Sequence, residues 1–201
     1  MAAATPKDRL LEAVVESALT EGIADKSLRA IAEAAGTSHR MLIHHFGSKE
    51  GLLVEVIRAV EARQHALFAE LGTGPHGPIE ELGRTFWSHL RGPGLAPQER
   101  LFFEVYGQAL QGREWAKPLL PGVVDDWIGP LAAMFTASGG NPATARIDAR
   151  LAVAVVRGLL LDVLATGNVA EADAAMERFL QLFAGHLRSE VKRARCADRE
   201  G

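Results

Sequence analysis

SLRAIAEAAGTSHRMLIHHFGSKEGLL, residues 27–53, holds two short helical segments and the turn between them. Leu28, Ile31, Ala32 and Ala35 recur at helical spacing, so one face of the first segment packs inward. Gly36 supplies the positive φ that ends it sharply, at a Gly36-Thr37-Ser38 turn. Ser38 is placed to cap the second segment, which runs to about His45. Leu42 and Phe46, one helical turn apart, give that segment a buried seam, and His39, Arg40, Ile43 and His44 then point away. So short a helix is not stable alone. Docked by two side chains, it presents a polar face. This is the helix-turn-helix pattern, whose second helix enters the DNA major groove.

Outward from this segment the periodicity stays helical. A first helix over about Lys7–Thr20 aligns Leu10, Leu11, Val14, Val15 and Ala18 and ends near Gly22. Ser48 caps a long helix whose Leu52, Leu53, Val56, Ile57, Val60, Leu67, Phe68 and Leu71 keep the period to Gly72. Residues 72–78 form a break; they contain G-x-G-x-x-G (Gly72, Gly74, Gly77), but no strand precedes it and Pro75 lies inside, so it reads as a loop rather than a dinucleotide site. Further helices are expected over Ile79–Leu90, Pro97–Gln111 and Val123–Ala137, the last kinked by Pro130. Asn141-Pro142 is expected to open a long helix ending at Gly167, and a final helix spans about Glu171–Arg195. Period-two alternation is absent. The expectation is an all-α chain of about nine helices, with a helix-turn-helix domain over 1–50 and a larger helical effector-binding and dimerisation domain over 51–201.

Arg9-Leu10-Leu11, Glu21-Gly22, Ile31-Ala32, Ala35-Gly36, Ser38, Leu42, His45-Phe46 and Ser48-Lys49-Glu50 before Leu52-Leu53 together resemble the amino-terminal domain of the TetR family of bacterial transcriptional regulators. Several fixed spacings carry the likeness, over about a quarter of the chain. Beyond about Ile57 it is architectural only. Three positions depart from the family pattern: Thr37 stands where Val is common, Arg40 where the residue is often small, and Ile43 where a Tyr usually contacts a phosphate. The resemblance implies a homodimeric, effector-controlled regulator, most simply a repressor of a palindromic operator. An activator of the same fold, and a helical module that binds only protein, are the alternatives; the polar exposed face of the second short helix argues against the latter.

The net charge of −3 and pI of about 6.2 do not suggest nucleic acid, whose phosphates call for Lys and Arg. The distribution of charge answers this. No acidic residue lies between Glu33 and Glu50, while His39, Arg40, His44, His45 and Lys49 all do, and Asp8, Glu12, Glu16 and Glu21 sit on the first helix. A basic face suffices. His39 and Arg40 start the recognition helix, where side chains reach base edges, and Arg40 suits the O6 and N7 of guanine. Ser27, Ser38, His44, His45 and Lys49 are placed for phosphates, Arg29 for a further backbone contact, and Thr37 lies in the turn beside them.

In the second domain, Ala149, Val153, Val156, Leu160 and Leu164 form one apolar line, and Met176, Phe179, Leu180, Phe183 and Leu187 another. As the last two long helices (about 142–167 and 171–195), these are expected to make a four-helix bundle with a second copy; packing within their own domain is the alternative. Trp87, Phe103, Tyr106, Trp127 and Met134 are candidate lining for a pocket that takes a small apolar or aromatic effector, or else simply core. Arg157 is the one charge in an apolar run and must be paired, with a protein acid such as Glu104 or with a ligand carboxylate or phenolate.

Other classes are weakly represented. His39, His44 and His45 lack the four-residue spacing of a helical metal pair, so no metal or cofactor is expected. No nucleophile elbow and no phosphate loop with Lys appear, so no enzymatic activity is expected. The segment 1–6 has no apolar run, the run Leu151–Leu161 is too short to span a bilayer, and Cys196 alone builds no disulfide framework within the chain. A cytoplasmic protein without a membrane partner is expected.

Overall fold

The computed structural model describes residues 5–23, 25–73, 79–92 and 96–197, apart from the side chains of Glu21, Thr73 and residues 190–197. Among them the chain forms α1 (Pro6–Glu21), α2 (Leu28–Ala34), α3 (His39–Phe46), α4 (Lys49–Thr73), α5 (Ile79–Leu90), α6 (Ala96–Leu110), α7 (Asp125–Ala137), α8 (Ala145–Thr166) and α9 (Val169–Ala197), with a 3-10 turn at Lys117–Leu119 and no strand. The all-α reading holds. Gly74, Gly77 and most of the glycine-rich break lie outside the described residues, as does the side chain of Cys196.

Two compact units emerge: Met1–Gln64 with Gly92–Pro121, and His65–Arg91 with Gly122–Gly201. A cut at residue 50 divides the chain differently. In the first unit α1 packs on α2 and α6, and α6 packs on the 3-10 turn, so a helix distant in sequence belongs with the amino-terminal ones. The core here gathers Val14, Val15, Ile31, Leu42, Leu52, Val56 and Val105, all fully buried. The Arg63 guanidinium reaches Glu12 at 2.5 Å and Glu16 at 3.1 Å, clamping α4 to α1. In the second unit α7 packs on α8, and α9 on both α5 and α8.

Local chemistry sets the helix ends. Thr5 and Asp8 cap α1 reciprocally, each side chain accepting from the other's backbone N–H. The α8 start differs from the expected one at Asn141-Pro142. The Asn141 side-chain oxygen accepts from the Ala143 amide at 2.9 Å, and this local turn delays the helix to Ala145. Pro130 lies inside α7.

The two apolar lines expected to form a dimer face need correction. Ala149, Val153 and Leu160 on α8, and Met176, Leu180, Phe183 and Leu187 on α9, are buried within the chain's own second unit. Their partners are α5, α7 and each other's helix. The exposed apolar surface of α8 is a different set: Ile147 (69% exposed), Leu151 (53%), Ala154, Gly158, Leu161 (51%) and Ala165. These recur at alternating spacings of four and three, the interval of a helix–helix seam.

Candidate functional site

The turn between α2 and α3 is built by backbone bonds that the sequence prefigures. The Gly36 amide donates to the Glu33 carbonyl and the Thr37 amide to the Ala32 carbonyl at 2.8 Å, a Schellman closure with Gly36 at φ +65°. Ser27 Oγ accepts from the Ala30 amide and Ser38 Oγ from the Met41 amide, both at 3.2 Å. Both hydroxyls therefore cap helices, and each keeps its own O–H to donate. Ser48 Oγ caps α4 in the same way, accepting from Gly51 at 3.0 Å.

α3 is docked as its pattern requires. Leu42 is fully buried and Phe46 is 9% exposed, and the Lys7 ammonium sits 5.6 Å above the Phe46 ring. His39, Arg40 and His44 are exposed, along with Arg29 on α2. His45, Thr37 and Lys49 are half-buried, and the His44 and His45 rings meet edge to face at 4.9 Å. The expected DNA-facing residues thus lie on or beside one short helix. Two apolar side chains share its exposed surface, Met41 (41%) and Ile43 (39%). The sequence pattern pointed Ile43 away from the seam, at a place where a Tyr usually contacts a phosphate; on the helical wheel it lies between the exposed His39 and Arg40.

The second unit holds a cavity of about 70 Å³, lined among others by Phe86, Trp87, Met134, Val156, Met176 and Phe179. Of the expected pocket residues, Trp87 and Met134 reach it. Trp127 stacks on His65 with ring centroids 3.8 Å apart, meets Phe68 edge-on and lies tilted against Phe86, as core. Phe103 and Tyr106 lie on α6 of the first unit, where both pack on Phe102. Arg157 donates to the Val123 main-chain carbonyl, while Glu104 is exposed on α6. The Trp87 indole N–H is engaged by Asp173 at 2.7 Å, leaving an almost wholly apolar cavity wall. Val156, Met176 and Phe179, assigned from sequence to an interface, line the cavity instead.

Among the described residues no group of three or more His, Cys, Asp or Glu side chains is placed to hold a metal ion, and no helix is long and apolar enough to cross a membrane.

Comparison with known proteins agrees with this geometry. Residues 10–56 match the family model of bacterial regulatory proteins, tetR family. Over 48 residues the chain is 54% identical to the HTH-type transcriptional regulatory protein RaaS of Mycobacterium tuberculosis, a segment covering 24% of this chain and 22% of that protein. The chain therefore spans less than a quarter of the length of the curated relative it matches. Solved structures extend the likeness over nearly the whole chain. A transcriptional regulator from Rhodococcus sp. Rha1 superposes with a TM-score of 0.69 at 20% identity, covering 91% of this chain and 96% of its own. GusR of Salmonella enterica gives 0.65 at 22%, covering 90% and 95%. NalD of Pseudomonas aeruginosa, the secondary repressor of the MexAB-OprM multidrug efflux pump, gives 0.60 at 21%, covering 90% and 96%. At these identities the shared property is the fold.

Proposed function

We propose that the chain, whose residues 10–56 match the tetR family of bacterial regulatory proteins, is a DNA-binding transcriptional regulator acting on a palindromic operator as a homodimer. The observation that carries this reading is the exposure of His39, Arg40 and His44 on a helix pinned by Leu42 and Phe46. Arg40 forks onto a guanine edge; His39 adds a contact at the start of the helix. The Ser27 and Ser38 hydroxyls, Arg29, Thr37, His44, His45 and Lys49 serve the flanking phosphates.

The second copy docks on the α8 seam of Ile147, Leu151, Ala154, Gly158, Leu161 and Ala165, with α9 alongside through Leu182 (57% exposed). An isologous pairing repeats each contact and places two reading helices on two half-sites, about 34–36 Å apart. An uncharged apolar effector enters the cavity between α5, α7, α8 and α9. The wall offers no charge to a carboxylate. The cavity is about half the ~150 Å³ that houses a benzene ring, so entry displaces flexible side chains such as Met134 and Met176. α4 contributes residues to both units, and an effector preferring one arrangement of the second unit biases the reading helices through it. Repression relieved by the effector follows.

Enrichment of duplexes from a random pool by the purified protein tests the proposal. An inverted repeat supports it. A pool without enrichment overturns it.

A further inference from the structure

We propose that Ile43 reads a thymine methyl group in the major groove. The inference rests on the DNA-binding reading above and adds a base to it. Successive residues of an α-helix turn by about 100°, so Arg40, Ile43 and His44, at i, i+3 and i+4, share one face of α3. Leu42 and Phe46 occupy the opposite, buried side. Ile43 does nothing for that seam: it is 39% exposed, and around the helix it lies between the exposed His39 and Arg40.

Leaving a branched apolar side chain in water among polar ones is unfavourable by its unburied area. The major groove presents one apolar group to match it, the C5-methyl of thymine. The surroundings suit duplex DNA rather than a protein partner, since 34–49 contains no acidic residue and holds Lys49, with His39, Arg40 and His44 on the same helix as Ile43. Geometry limits the register. Neighbours at i and i+3 have Cβ atoms about 5–6 Å apart, and base pairs rise about 3.4 Å. The thymine therefore lies within two base pairs of the guanine held by Arg40.

The test uses the duplex enriched from a random pool, with each thymine replaced in turn by deoxyuridine, which removes only the methyl. The intact protein should lose about fourfold in affinity at one thymine per half-site, the worth of one buried carbon. That thymine should fall within two base pairs of the guanine whose replacement Arg40→Ala no longer senses. Ile43→Ala, folded by circular dichroism, should bind the thymine and uracil duplexes alike. Indifference of the intact protein to uracil at every position overturns the assignment, as does a uracil penalty that Ile43→Ala retains. A pool that yields no enriched duplex overturns the DNA-binding reading itself, a separate result.

Discussion

The Trp87 indole N–H donates to the Asp173 carboxylate at 2.7 Å, and the Arg91 guanidinium meets the same carboxylate oxygen at 2.8 Å. One acid on α9 thus fixes both a cavity-lining ring and the end of α5. Trp87 is 5% exposed, so its donor has no water to replace the acid. Asp173→Ala should destabilise the chain by about 1–3 kcal/mol in urea unfolding, the cost of an orphaned buried donor. Trp87→Phe combined with Asp173→Ala should cost less than the two single changes summed.

The cavity predicts its own ligand response. Ala152 lines it and is 7% exposed. Toluene at ten times its dissociation constant should stabilise the protein by about 1.4 kcal/mol in a thermal scan. Ala152→Leu fills the space and should abolish that response. Filling such voids commonly adds ~0.5–2 kcal/mol of stability, yet the loss of the toluene effect is the readout. A toluene shift that survives in Ala152→Leu would place the ligand elsewhere.

The seam on α8 separates association from folding. Leu151→Asp and Leu161→Asp alter side chains already more than half exposed and should leave the far-ultraviolet spectrum intact. Sedimentation equilibrium should show the molar mass halved. Val153→Asp, on the buried side of the same helix at 8% exposure, should instead disrupt the second unit, because it buries an unpaired charge. An unaltered dimer in both seam variants would move the interface off α8.

What the sequence revealed, and what it hid, follows from how local each determinant is. The α2–α3 turn was readable because its bonds are local: the Ser27 and Ser38 hydroxyls accept from amides three residues on, and the Gly36 amide donates to the Glu33 carbonyl three residues back. α8 was misread because it is apolar on two faces: Ala149, Val153 and Leu160 face the chain's own core, while Leu151, Ala154 and Leu161 face outward. Periodicity cannot tell which apolar face the chain itself covers. Arg157 found a main-chain carbonyl at Val123, and backbone acceptors leave no trace in residue types. Phe103 and Tyr106 joined the first unit because α6 returns to pack on α1, a long-range choice.

Acid should act in two separate windows. The His65 imidazole is held below the ordinary histidine range, mainly by burial and further by the Arg157 charge, against the pull of Asp126. The folded chain then binds fewer protons here than the unfolded one. Its stabilising contribution is complete above the ordinary value of 6.5 and is lost as pH falls through the lower folded value. The urea midpoint should therefore drop between pH 7.5 and 5.5, and His65→Phe should flatten that drop. Glu177 acts further down. Hydrogen bonds from Arg84 and Gln181 hold its carboxylate at about 2, so its contribution is lost only as pH falls from 4.5 towards 2.

Reading of base edges by the exposed face of α3 is tested most directly by the discrimination of Arg40→Ala. On the selected duplex and on its single guanine replacements, the intact protein and the variant are titrated side by side at one salt concentration. Loss of about 5- to 150-fold in discrimination at one guanine per half-site, with binding to the other positions weakened evenly, is the result expected for a bidentate contact worth ~1–3 kcal/mol. An Arg40→Ala protein that keeps the full sequence preference of the intact chain would contradict it.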